Sequence, residues 1–94
     1  MTGNFQFYAD LTEWTPWDEA AVLKMESEQR AELAKAISCE GLLIDLSMDQ
    51  HANVRKGVAA NPNTPLMTLK RLAEEDLCSS VSDIAHTTLL SLRG

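Results

Sequence analysis

Apolar residues recur along the chain at spacings of three and four, broken by short polar links, and this alternation predicts a succession of short helices. Thr15-Pro16-Trp17-Asp18 opens the first: threonine caps, proline suits the first helical position, and Asp18 brings a carboxylate to the free amides. The predicted spans are 16–26, 28–38, 41–48, 54–60, 65–75 and 80–92. The first is expected to turn Trp17, Ala20, Ala21 and Leu23 inward and the second Ala31, Leu33, Ala34 and Ile37, with Ser27 as break and cap between them. Asn61-Pro62 ends the fourth span, because a residue before proline is pushed out of the α region. Thr64-Pro65 opens the fifth, whose inward line is Leu66, Leu69, Leu72 and Ala73. Ser80-Val81-Ser82-Asp83 reads as a capping box for a last helix that buries Val81, Ile84, Ala85, Leu89 and Leu92.

The pattern repeats. At one common offset Asp49 falls on Asp76, Asn53 on Ser80 and Val54 on Val81. A second offset, close to twice the first, places Thr15-Pro16 on Thr64-Pro65 and Trp17, Ala20 and Leu23 on Leu66, Leu69 and Leu72. The fold expected is therefore all-α, a short helical-repeat stack of about three helix pairs. One domain spans 1–94, with an N-terminal arm at 1–12, acidic helices at 13–48 and repeat-like helices at 49–94.

Val54-Arg55, Val58-Ala59, Asn61-Pro62, Thr64-Pro65, Leu69, Leu72-Ala73 and Asp76 together resemble the leucine-rich repeat variant family, an α-helical family similar in style to HEAT repeats. The resemblance covers about residues 49–83; beyond it Ser82 and Thr88 stand where arginine and asparagine are expected. It implies a right-handed stack of short helices and a protein-interaction or scaffold role, with no catalytic residues. The iron–sulfur cluster that one member carries needs four thiolates, which Cys39 and Cys78 cannot supply.

The length of 94 residues leaves little room for an enclosed active-site cavity. No run approaches the ~20 apolar residues that cross a bilayer, and Met1 to Asp10 lacks the basic and apolar regions of a secretion signal, so no membrane association and a cytoplasmic location are expected. The net charge is −6, divided as −7 over residues 1–49 and +1 over 50–94. Such acidity removes the usual drive toward phosphate backbones, so direct nucleic-acid binding is not expected and a basic protein is the easier partner. Cys39, Cys78, His51 and His86 are suitable zinc ligands by type, but they include no close-spaced pair; no metal and no cofactor is expected. No nucleophile motif, glycine-rich phosphate loop or His-Glu-x-x-His occurs, and the pairs Asp18-Glu19 and Glu74-Glu75 point apart on their helices. The chain is read as non-enzymatic.

Two clusters remain as candidate partner-binding residues. Phe5, Phe7, Tyr8, Trp14 and Trp17 are every aromatic residue in the chain; they either close one end of the stack or, with Phe5 and Phe7 alternating with polar neighbours as in a short strand, meet a partner or a second copy in a homodimer. Arg55, Lys56, Lys70 and Arg71 are the basic cluster, expected as a strip beside the 61–65 loop. The leading functional expectation is a small adaptor that binds another protein through its helical surface. The alternative is an acidic inhibitor or nucleic-acid mimic that uses Asp10, Glu13, Asp18, Glu19, Glu26, Glu28 and Glu32 to occupy a basic groove on a nuclease or polymerase.

Overall fold

A computed structural model describes residues 4–93; positions 1–3 of the expected arm lie outside the described residues. Among the described residues seven helices follow one another: α1 (Asn4–Ala9), α2 (Pro16–Leu23), α3 (Ser27–Ala36), α4 (Glu40–Leu46), α5 (Ala52–Ala60), α6 (Leu66–Glu75) and α7 (Ser79–Arg93). The protein is all-α, with no strand among the described residues. The odd-numbered helices form one row, α1 on α3, α3 on α5 and α5 on α7, while α4 packs on α5 and α6 on α7 to build the second layer of a short helical stack.

Local chemistry explains most boundaries. Thr15 is extended and accepts from the Asp18 amide, while the Asp18 carboxylate accepts from the Thr15 amide at 2.9 Å, a complete capping box with Pro16 at the first helical position. Thr64, expected to cap α6, instead donates its hydroxyl to the Val58 carbonyl at 2.8 Å and is buried; α6 begins after Pro65. At α7 the helix starts one residue before the expected cap, and its entry is shaped by Asp76, whose Oδ1 accepts from the Cys78 amide at 2.9 Å.

Val22, Leu33, Ile37, Leu42, Leu43, Leu46, Val54, Val58, Leu72, Val81 and Ala85 line the core between the layers. Gly57 lets α3 and α5 approach closely: a Cβ there would stand 2.5 Å from the Ala31 carbonyl oxygen and 2.9 Å from the Ala34 Cβ. The amide of Asn61, itself buried, donates to the carbonyls of Ala34 (2.8 Å) and Ile37 (2.7 Å) at the end of α3, and its oxygen accepts from the Asn63 amide. Asn61 thus satisfies two helix-end carbonyls that would otherwise be buried without donors. Thr88 falls on Asn61 at the offset that places Asp76 on Asp49, and it donates to the Ala59 carbonyl at 2.6 Å.

Several faces differ from the sequence reading. In α2, Val22 is the buried residue, whereas Trp17 is 83% exposed and Leu23 is also out; the capping box fixes the start of this two-turn helix, and Val22, one turn after Asp18, falls inward. In α6 the inward line is Thr68, Leu69, Leu72 and Ala73, which leaves Leu66 on the exposed side. Leu92 is exposed, while Val81 and Ala85 are buried and Ile84 and Leu89 are half-buried. Residues 4–9 form a helix rather than a strand, which brings Phe5, Tyr8 and Ala9 together on the core at spacings of three and four.

Candidate functional site

Two arginines carry out the same task at successive places in the stack. Arg30 on α3 grips Asp49 with its Nε (2.9 Å) and Nη2 (3.2 Å) and donates Nη1 to the Met25 carbonyl at 2.6 Å. Arg55 on α5 grips Asp76 with its Nε (2.8 Å) and Nη2 (3.2 Å) and donates Nη1 to the Asp49 carbonyl at 2.7 Å. Each aspartate also accepts from the backbone amide two residues on, His51 or Cys78. The aspartates are related by the repeat offset, whereas the arginines lie slightly closer together in the chain.

These bidentate pairs tie the links after α4 and α6 to the odd-numbered row. Burial pushes both aspartate carboxyls up, but the guanidinium and the backbone amide, joined at Asp49 by the His51 ring, outweigh it and hold both below the ordinary carboxylate value. The folded chain therefore resists protonating them more than the unfolded chain does. Their contribution is fully present above the ordinary carboxylate value and is lost as pH falls through the lowered folded values. Denaturant unfolding measured across a pH series should show stability dropping below about pH 4, and Asp49→Asn should flatten that drop.

The basic cluster does not form the expected strip. Arg55 is turned toward Asp76 with 17% of its side chain exposed, and Lys56 is half-buried near Cys78, so both face the 76–78 link and not the 61–65 loop. Arg71 is half-buried and donates to the hydroxyl of Ser47, which caps the end of α4, and Lys70 is exposed. Of the aromatic residues, Phe5, Tyr8 and Trp14 lean on the core while Phe7 and Trp17 face solvent. Phe7 meets Tyr8 edge to face, ring centroids 5.0 Å apart.

The second layer has an exposed apolar side. Trp17 and Leu23 on α2, Ile44 on α4, and Leu66 and Met67 on α6 all face out, with Met48 and Leu77 in the links that follow. Contacts between neighbours set the order of this layer: Glu19 on α2 meets Asp45 on α4, and Ser47, the residue that caps the end of α4, meets Arg71 on α6.

The α2/α4 seam is chemically unlike the α4/α6 seam. The burial pattern of α4 and its cap (Leu42, Leu43, Leu46, then Ser47) recurs in α6 (Thr68, Leu69, Leu72, Ala73), so Asp45 holds in α4 the place that Arg71 holds in α6. Asp45 Oδ2 is buried and finds no hydrogen-bond donor among the described residues. Glu19 can offer one only when protonated; that hydrogen bond first, then burial and the Asp45 charge, raise the Glu19 pKa.

One turn toward the N-terminus of α4, Trp14 lies against Gly41 so closely that a Cβ there would collide with the indole nitrogen. Trp14 and Gly41 line a groove of about 600 Å³ with Thr12, Glu13, Ser38, Cys39 and Glu40. Sequence reasoning misses Glu40 and Asp45. The one available signal is that Gly41 and Asp45, four apart, share a helix face.

Among the described residues no three His, Cys, Asp or Glu side chains converge in a way that could hold a metal ion, and no helix is long and apolar enough to cross a membrane. Compared with family models, with curated proteins and with solved structures, the chain matches none.

Proposed function

We propose that this chain is a non-enzymatic protein-binding module that acts through the exposed side of its second helical layer. The observation that carries the reading is the set of large apolar side chains on that layer, with Trp17 83%, Met67 77% and Ile44 40% exposed on α2, α6 and α4. Exposed apolar area distributed across one layer is a feature of surfaces that meet a partner. The resemblance of residues 49–83 to the leucine-rich repeat variant family, whose stacks serve as interaction scaffolds, supports the same reading.

Nucleic-acid mimicry would require carboxylates free along one continuous face. Asp18 is committed to the Thr15 cap, and Glu32 pairs with Lys35 at 2.9 Å, which favours the adaptor. The test is capture of a binding protein from the native host on the immobilised chain, repeated with Trp17→Ala plus Met67→Ala and with Glu28→Gln plus Gln29→Ala on α3. The reading expects loss of capture with the first pair only. Equal capture by both would move the binding surface elsewhere, and no specific capture would remove the function.

A further inference from the structure

We propose that the outward face of the second layer pairs with the same face of a second copy of this chain across a two-fold axis, α4 on α4 and α2 on α6 of the other copy. This rests on the protein-binding reading and names the partner.

The helices of the layer share one direction. Trp14 stands at Gly41 and Glu19 at Asp45, so α2 and α4 advance together. In the other row α5 and α7 advance together, with Arg55 at Asp76 and Ala59 at Thr88. α6 runs against α7: the Ala73 carbonyl accepts from Ser82, while Lys70 shares a groove with His86 and Leu89 further along. α6 repeats the burial pattern of α4 and precedes α7 as α4 precedes α5, so it follows the direction of α4. Rotation about an axis that lies in the face, parallel to these helices, therefore sets α2 beside α6 of the second copy with both pointing the same way.

The exposed positions then match. Trp17, Ala20 and Lys24 along α2 and its cap, and Met67, Lys70 and Glu74 along α6, all face out and share one spacing, three residues and then four. In register, Trp17 meets Met67, the small Ala20 leaves room for the Lys70 stem, and Lys24 meets Glu74. The apolar and the charged contact are about 10.5 Å apart at 1.5 Å per residue. Among the described residues neither Lys24 nor Glu74 takes part in a salt bridge. The two-fold makes each of these contacts twice.

α4 suits a place on the axis, where a side chain meets its own copy and a charge would meet its like. Asp45 holds the place of Arg71, so Ile44 and Met48 hold the places of the charged Lys70 and Glu74; both are apolar and exposed. An axis running across the helices would set α6 antiparallel on itself, Lys70 against Lys70, and place Lys24 over Trp17. Charge complementarity selects the parallel arrangement.

The probe is the chain itself. Sedimentation equilibrium from about 1 μM to about 1 mM should give a reversible monomer–dimer equilibrium without larger species, because an isologous contact closes. Trp17→Ala plus Met67→Ala should weaken dimerisation at least tenfold. Lys24→Glu and Glu74→Lys should each weaken it at least tenfold, since each sets like charges opposite at two places. The chain that carries both reversals should return to within threefold of the original, because the pair is rebuilt in the opposite sense.

The reversals move the net charge in opposite directions. General repulsion between acidic copies therefore expects weaker association with Lys24→Glu and tighter association with Glu74→Lys. Recovery in the doubly reversed chain also separates a lost contact from a damaged fold. A chain still monomeric at about 1 mM overturns the proposal. So does a dimer that follows net charge alone, that keeps its strength with Trp17 and Met67 replaced, or that the double reversal does not restore. In each of these cases a host protein other than this chain, lost from capture with the Trp17 and Met67 variant, still upholds the protein-binding reading.

Discussion

Replacing Arg30 with methionine should destabilise the fold by about 3 to 5 kcal/mol, the range expected when one member of a buried ion pair is removed and the other is left behind. The two side chains are 9% and 5% exposed, so neither the lost guanidinium nor the stranded Asp49 carboxylate is well compensated by water. Methionine keeps much of the stem's packing volume, which confines the loss to the fork on Asp49 and the hydrogen bond to the Met25 carbonyl. Urea unfolding gives the number, and a cycle with Asp49→Asn separates the pair from the rest: the double variant should be less destabilised than the sum of the single ones. A loss below about 1 kcal/mol would show that the fork is an exposed ornament of the surface, since exposed pairs contribute at that level.

Leu72→Ala should cost about 2 to 5 kcal/mol. Leu72 is 1% exposed, lies on the buried line of α6 and belongs to the core that both layers share, so the missing side chain leaves a space that two packed helices cannot readily close. Leu66 on the same helix is the internal control: it is 58% exposed, and Leu66→Ala should change stability by no more than about 0.5 kcal/mol. In a domain with a total stability of about 5 to 15 kcal/mol the first substitution removes a large share of the margin and the second is tolerated. Thermal melts and urea titrations of the two variants side by side decide the assignment of faces.

Helix positions are legible from caps and prolines because those signals are local: Thr15, Pro16 and Asp18 act within four residues of one another. Faces are legible where a helix carries a long apolar line, as at Leu33, Ala34 and Ile37, and fail in α2, where eight residues give Trp17 and Val22 nearly equal claims on the core. The aspartates of the two forks emerge at the repeat offset, but Arg30 and Arg55 are separated by a shorter stretch, so no single offset aligns both ends of the pairs. The strand-like alternation of Phe5 and Phe7 misleads because Tyr8 completes a helical pair with Phe5 that only tertiary packing reveals. The acidic seam is half visible: Glu13 and Glu19 stand among the N-terminal acids, whereas Asp45 matters only because α4 packs beside α2.

The links that join α3 to α5 and α5 to α7 are unequal. Each carries one arginine fork, Arg30 on Asp49 and Arg55 on Asp76, but Asn61 fastens the end of α3 with two amide hydrogen bonds, whereas between α7 and α5 Thr88 reaches Ala59 with a single hydroxyl and Ser82 stands where the arginine series would continue. Local opening of the native chain is thereby given a direction. Of these two junctions α5–α7 opens before α3–α5, where the Asn61 amide holds the end of α3 and the backbone protons exchange last with solvent.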